Sequence, residues 1–193
     1  MSIERLQQNV LKNAALNKEE LHTFCEAFYP KSIAKKQYLL RQGDICNFEG
    51  YVTKGCFRVF TLDEQGKEHV LYFAIKDWWI TDIDSFTNQK PSFLTIQALE
   101  DSEVLLVDHQ DKARLYTEIP QIEQLFRVMT QKTLVALQRR MISNLSQTAD
   151  ARYLNFIEKY PQIAQKLTNL QLASYLGISH EFLSKIRSKT ASK

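Results

Sequence analysis

Cysteine, glycine, proline and tryptophan are all scarce in this chain: three, five, four and two in 193 residues. Cys25, Cys46 and Cys56 are an odd set with no C-x-x-C spacing. That excludes a disulfide framework and a cysteine-rich zinc site, and leaves buried structural thiols in a reducing cytoplasm as the expectation. So few glycines and prolines exclude a fibrous or low-complexity chain. No apolar run approaches the ~20 residues of a membrane span. The opening MSIERLQQNV places acidic and amide side chains where a secretion signal has its apolar core. A P-loop, a glycine-rich dinucleotide turn and a G-x-S-x-G elbow are also absent, so little supports a catalytic reading and the chain is read as no enzyme.

What is present is enough apolar material for a core, and an uneven charge. Hydrophobic residues make up 44% of the chain and its formal net charge is +3. Residues 151–193 carry 7 Lys+Arg against 2 Asp+Glu, whereas 1–150 carry 18 against 20. The positive charge therefore collects in the last quarter, as a polyanion partner requires.

Taken in order, Ile3, Leu6, Val10 and Leu11, then Leu16, Leu21, Phe24, Cys25 and Phe28, recur at helical spacing. Asn17 with Glu20 reads as a capping box for the second helix and Pro30 as its stop. From about Ser32 the apolar period drops to about 2. GYVTKGCFRVFTLD, KEHVLYFAI, FLTIQAL and SEVLLVD are rich in Val, Ile, Phe, Tyr and Thr, with turns at 42–44 and 63–68, the latter cornered by Gly66. This predicts an antiparallel barrel or jelly roll. After Asp108 the helical spacing returns: a short helix to Tyr116, then one unbroken helix over 122–145 behind Pro120. Ile122, Phe126, Met129, Thr133 and Ala136 form one stripe, and Leu134, Leu137, Met141 and Leu145 a second. Two stripes predict two contacts, one covering the barrel and one pairing with the same helix of a second chain; burial of both within one subunit is the competing reading. The candidates for dimerisation are Ile122, Phe126, Met129, Thr133, Ala136, Leu137 and Met141. Residues 146–150 are a polar hinge, and 152–160 a further helix stopped by Pro161.

The stretch that the chain is organised around is TNLQLASYLGISHEFLSKIRSK, residues 168–189. Leu172, Ala173, Leu176, Ile178, Leu183 and Ile186 make two apolar stripes broken only by Gly177, predicting two short helices joined by a tight turn. Ala173 lets the helices approach, Gly177 can take the positive φ of a sharp corner, Ile178 plugs the angle, and Ser179 can cap the second helix. The other face of that helix, His180, Glu181, Ser184, Lys185, Arg187 and Ser188, is polar and cationic, as base edges and phosphates in a major groove require. With Ser179 and Lys189 these are the candidate DNA-binding residues. A solvated helical hairpin is the bland alternative.

A metal-dependent barrel enzyme of cupin type needs two or three histidines and a carboxylate converging inside. His22, His69, His109 and His180 are scattered with no H-x-H spacing, and His69 beside Glu68 reads as a strand histidine with a hydrogen-bond partner. No metal site is expected.

A helical start, a small antiparallel barrel, one long helix and a helix-turn-helix, in this order, resemble the Crp/Fnr family of bacterial transcription regulators over nearly the whole chain. The resemblance rests on RQGD at 41–44, KGCFRVF at 54–60, TIQALEDSEVLLVD at 95–108 and, most specifically, LASYLGISHEFLSKI. The WW pair, NQKPSF and the short link between Pro161 and Thr168 look like a divergent branch common in Bacteroidetes. The resemblance implies an α+β fold: an N-terminal antiparallel β-barrel or jelly roll of cyclic-nucleotide-binding type with N-terminal helices (1–116), a long dimerisation helix and hinge (117–147), and a winged-helix-like helix-turn-helix domain (148–193). It also implies a cytoplasmic homodimer gripping double-stranded DNA, RNA polymerase as a further partner, and a small-molecule effector in the barrel. At the groove-reading positions, often Arg, Glu and Arg in the family, this chain has His180, Glu181 and Lys185, so the family's target sequence does not carry over.

The effector pocket departs further. Cyclic-nucleotide binders of this family hold the cyclic phosphate with an Arg-Ser/Thr pair and the ribose with a Gly-Glu pair. Aligning TIQAL puts Ser92 and Phe93 at the first pair and Thr81 and Asp82 near the second. Without the guanidinium a buried phosphate lacks its counter-charge, so cyclic AMP is not the expected effector, although Lys90 is a possible substitute cation. The candidate pocket residues are Trp79, Thr81, Asp82, Lys90, Ser92 and Phe93; no cofactor is identified. A four-cysteine iron–sulfur ligand set, used by another branch, is missing. The competing function is a sensor or interaction protein whose helix-turn-helix no longer binds DNA.

Overall fold

The computed structural model describes residues 2–191. Helices α1 (Ser2–Leu11) and α2 (Lys18–Glu26) precede the strands. The capping box forms as expected: Asn17 Oδ1 accepts from the Glu20 amide at 2.9 Å and the Glu20 carboxylate accepts from the Asn17 amide at 2.8 Å. Pro30 does not stop α2, which ends earlier at Glu26; it lies inside the first strand.

The strands are β1 (Tyr29–Ile33), β2 (Tyr38–Leu40), β3 (Phe48–Lys54), β4 (Cys56–Leu62), β5 (Glu68–Ile75), β6 (Trp79–Ile80), β7 (Thr95–Ala98) and β8 (Ser102–Asp108), with helix α3 (Ile83–Asn88) between β6 and β7. They build two antiparallel four-stranded sheets, β1-β8-β3-β6 and β2-β7-β4-β5, the expected jelly roll. Central strands here are buried on both faces. On β3 and β8, Val52, Val104 and Leu106 point into the barrel, while Tyr51, Leu105 and Val107 point outward under α1, α2 and the helices after β8. This is why VLL-type runs replace clean alternation.

The register between β4 and β5 slips between Val59 and Phe60, where Val59 pairs Tyr72 and Phe60 pairs Val70, leaving Leu71 as the extra residue of a bulge. The bulge has a packing consequence. Tyr72 joins the barrel interior, while Phe60, Val70 and Phe73 face the other way and share a cluster with the C-terminal helices.

Six helices follow: α4 (His109–Glu118), α5 (Gln121–Ser146), α6 (Ala149–Lys159), α7 (Pro161–Ala164), α8 (Asn169–Leu176) and α9 (His180–Ala191). The long helix divides by length as well as by face. Ile122 and Phe126 are buried and Met129 packs beside them against the subunit's own α1, α2 and barrel. Thr133, Ala136, Leu137 and Met141 are exposed, as are Leu134 at 56% and Leu145 at 79%. The first three of the seven dimerisation candidates thus cover the chain's own core, and only the later four remain open to a second chain. The described residues of the C-terminal unit form helices joined by short turns, with no strand among them. The expected wing has no counterpart there, because the link after α6 is the single turn α7 and α9 continues to Ala191.

Candidate nucleic-acid interface

The corner between α8 and α9 is made by local chemistry. Thr168 caps α8 in a capping box with Gln171. Gly177 ends it at φ 67°, its amide reaching the carbonyls of Ala173 and Ser174, while the Ile178 amide reaches Ala173 O at 3.1 Å. Ser179 Oγ then accepts from the Phe182 amide at 3.2 Å and starts α9. Leu172, Ala173, Leu176, Leu183 and Ile186 are buried with Tyr153 and Phe156 of α6, closing the hairpin from beneath.

Ser179, His180, Glu181, Ser184, Lys185, Arg187, Ser188 and Lys189 all lie exposed on the opposite side. Several are held by neighbours rather than swinging freely. His180 Nδ1 is 3.2 Å from Glu181 Oε1, Arg187 donates to Asn169 Oδ1, and Lys189 Nζ is 3.5 Å from Asp150 Oδ1. Ser184 donates to the His180 carbonyl. Hydrogen bonds from its own amide and from the Ser179 hydroxyl, with nearby His180, hold the Glu181 carboxyl below its ordinary value. It is therefore an ionised acceptor at neutral pH, suited to a cytosine amino group. Phe182, 45% exposed on the same helix, carries no functional signal in the sequence, because its position beside an apolar stripe reads as core. An exposed ring beside such polar groups can meet a thymine methyl.

The unit that carries this face sits on the barrel. Ser174 of α8 donates to the Glu68 carbonyl at 2.6 Å and accepts from the Val70 amide at 2.9 Å, occupying the free edge of β5. Arg140 of α5 donates to the carbonyls of Val70 and Tyr175 at 3.1 and 2.8 Å and stacks over the Tyr175 ring at 4.2 Å. Neither residue is legible as functional in the sequence, since each acts through a strand far away along the chain.

The six pocket candidates do not gather around a space. Trp79 packs outside the barrel against Phe28, Tyr51 and Phe126, with Nε1 donating to Asn9 at 3.2 Å. Thr81 donates to the Phe48 carbonyl, and Phe93 is 66% exposed. Asp82 and Ser92 are both buried, but they use each other: Ser92 Oγ donates to Asp82 Oδ2 at 2.5 Å, while Asp82 also caps α3. Lys90 pairs with Asp84 at 3.1 Å instead of facing them. The Tyr72 hydroxyl closes the interior further by donating to Thr81 O at 3.0 Å. A cyclic phosphate here would meet a carboxylate and no cation, so these residues do not fit that ligand.

No helix among the described residues is long and apolar enough to cross a membrane.

Comparison with known proteins agrees with this architecture. Residues 30–118 match the cyclic nucleotide-binding domain family. The chain is 24% identical over 168 residues to the transcriptional activator protein Anr of Pseudomonas protegens, covering 81% of this chain and 68% of that protein. Among solved structures, FixK2 of Bradyrhizobium japonicum superposes with a TM-score of 0.75 at 17% identity, covering 86% of this chain and 85% of its own. A transcriptional regulator of the Crp/Fnr family from Eubacterium rectale gives 0.73 at 16% identity, over 92% and 85%.

Proposed function

We propose that this chain, a member of the Crp/Fnr family, works as a homodimeric DNA-binding transcription regulator, with its barrel as the sensing domain, α5 as the dimer seam and 148–193 as the DNA-reading domain. The observation that carries the reading is α9, with its exposed polar and cationic face on a closed helix-turn-helix corner. Lys185 has no hydrogen bond or ion pair among the described residues, so it is available to a base edge or a phosphate. Glu181 supplies the acceptor beside it. The exposed apolar run Leu134, Leu137, Met141 and Leu145 on α5 supports pairing with a second copy, which would present two α9 helices to a two-fold-related site. RNA polymerase as downstream partner and a cytoplasmic location belong to the same proposal. The internal Asp82–Ser92 bond supports an effector other than cyclic AMP.

Fluorescence anisotropy with random and genome-selected duplexes across a salt series tests this. Affinity should fall steeply with salt as phosphate-bound counterions are released. Lys185→Ala should weaken discrimination between duplexes by about 1–3 kcal/mol, while Arg187→Ala should weaken all duplexes alike. Absence of binding at low salt would instead favour a sensor whose helix-turn-helix does not engage DNA.

A further inference from the structure

Between the inner face of α5, strand β5 and helices α6 and α8 lies a cleft of about 700 Å³. Its size is that of small-molecule sites in general. Five cations line it, Lys132, Arg139, Arg140, Arg152 and Lys159, and no carboxylate among the described residues does. Other buried or half-buried cations are paired with carboxylates, as in Arg58–Glu68, Lys112–Glu49 and Lys166–Glu100. None of the five cleft cations has such a partner among the described residues. Arg140 and Arg152 donate to carbonyls, Lys132 to Asn13, and Lys159 lies over the Tyr160 ring. The Arg152 Nε–H is buried with no acceptor among the described residues. Burial also pulls Arg140 below its ordinary value.

The same walls carry Trp78, Phe156, Tyr160 and Tyr175, joined ring to ring with centroids 5.8, 5.6 and 4.9 Å apart. Five charges of one sign around a partly enclosed, ring-lined volume repel each other more than they would in water. An anion removes that cost, and a planar group attached to it can lie on the rings. Leu134, Met141 and Leu145 lie on the opposite side of α5, whereas Ala136 and Leu137 belong to the lining of the cleft itself, so a second copy seated on the seam would border the cleft along that edge.

We propose that this cleft is a binding site for a small aromatic anion bearing phosphate or carboxylate groups, separate from the barrel interior. Such a ligand would touch β5, α5 and the DNA-reading helices at once, and would therefore favour the arrangement in which they are packed together. The site does not depend on α9 binding DNA.

Trinitrophenyl-ATP, a fluorescent aromatic polyphosphate, titrated into the full chain tests the proposal. Saturable binding in the micromolar range is expected. Displacement by inorganic pyrophosphate would identify the phosphate as the recognised group, and displacement by salicylate the carboxylate. Arg139→Glu with Lys159→Glu, both exposed and without carboxylate partners, should retain the parent melting temperature and weaken the probe about tenfold or more. Lys185→Glu on α9 and Met141→Ser on the seam should leave it unchanged. The proposal is overturned if the probe does not saturate by about 1 mM, if neither competitor displaces it, if the double variant binds as the parent does, or if Lys185→Glu abolishes binding equally.

Discussion

Replacing Ser174 by Ala isolates the bond that seats the DNA-reading helices on the barrel. The hydroxyl makes two hydrogen bonds to the β5 edge, to Glu68 O at 2.6 Å and from Val70 N at 2.9 Å. Each contributes about 1 kcal/mol net, so Ser174→Ala should shift the balance between seated and released arrangements by about 2 kcal/mol, roughly 30-fold. Alanine's slightly better helix propensity acts on α8 in both arrangements and does not offset this. Seating is not abolished, because Arg140 still holds Val70 O and the Phe73 and Tyr175 rings remain 5.4 Å apart. The three native thiols are buried, so cysteines added at the exposed positions Gln65 and Glu158 can be spin-labelled selectively. With the labelled chain diluted into excess unlabelled chain, so that only pairs within one subunit are read, electron-electron distance measurement should give one narrow distribution for the parent and a second, longer population in Ser174→Ala. Adding Arg140→Gln should enlarge it. Unchanged distributions in both variants would refute the idea that side-chain bonds to the β5 edge hold the two parts together.

Gly55→Ala should be costly, because its Cβ would fall 2.1 Å from Ser102 Oγ at φ +92°, whereas Gly66→Ala meets nothing within 4 Å. The first should lose about 3 kcal/mol, roughly 6–12 °C in a thermal melt, and the second about 1 kcal/mol from backbone strain alone. Glu49 and Lys112 are a buried pair at 2.7 Å, although the contact lacks hydrogen-bond geometry at Glu49 Oε2. Burial pushes the Glu49 carboxyl up and the Lys112 ammonium down, each only partly offset by the other. Lys112→Met should therefore cost about 3–5 kcal/mol at pH 8, and Glu49→Leu with Lys112→Met should recover most of it. In the single variant Glu49 binds a proton more readily folded than unfolded. Stability should accordingly fall as pH rises from the ordinary carboxylate range through the raised one, giving a lower melting temperature at pH 8 than at pH 5. Leu134→Glu with Met141→Glu, at exposed positions of α5, should convert a sedimenting dimer to a single chain while far-ultraviolet dichroism keeps its helix signal.

Features set by neighbours in the chain are legible in the residues themselves. The cap at Asn17, the corner at Gly177 and the start of α9 at Ser179 each depend on residues within about four positions, and all three form as expected. The strands of the jelly roll and the unbroken length of α5 follow from apolar period and from the absence of breakers. The expectation against cyclic AMP rests on the family resemblance, which puts Ser92 and Phe93 where cyclic-nucleotide binders carry their Arg-Ser/Thr pair.

Tertiary structure decided what each face meets. Phe126 and Thr133 share one stripe of α5, yet the first is buried because α1, α2 and the barrel reach that far along the helix, and the second is exposed. Trp79 as core, Asp82 bonded to Ser92, Ser174 on the edge of β5 and five cations without carboxylate partners around one cleft all join positions well separated along the chain. Sequence alone determined a jelly roll, a long helix and a helix-turn-helix, because period, caps and turns act over a few residues. The bulge at Leu71 and the packing it permits settled how those parts meet, because such contacts exist only once distant segments have closed upon one another.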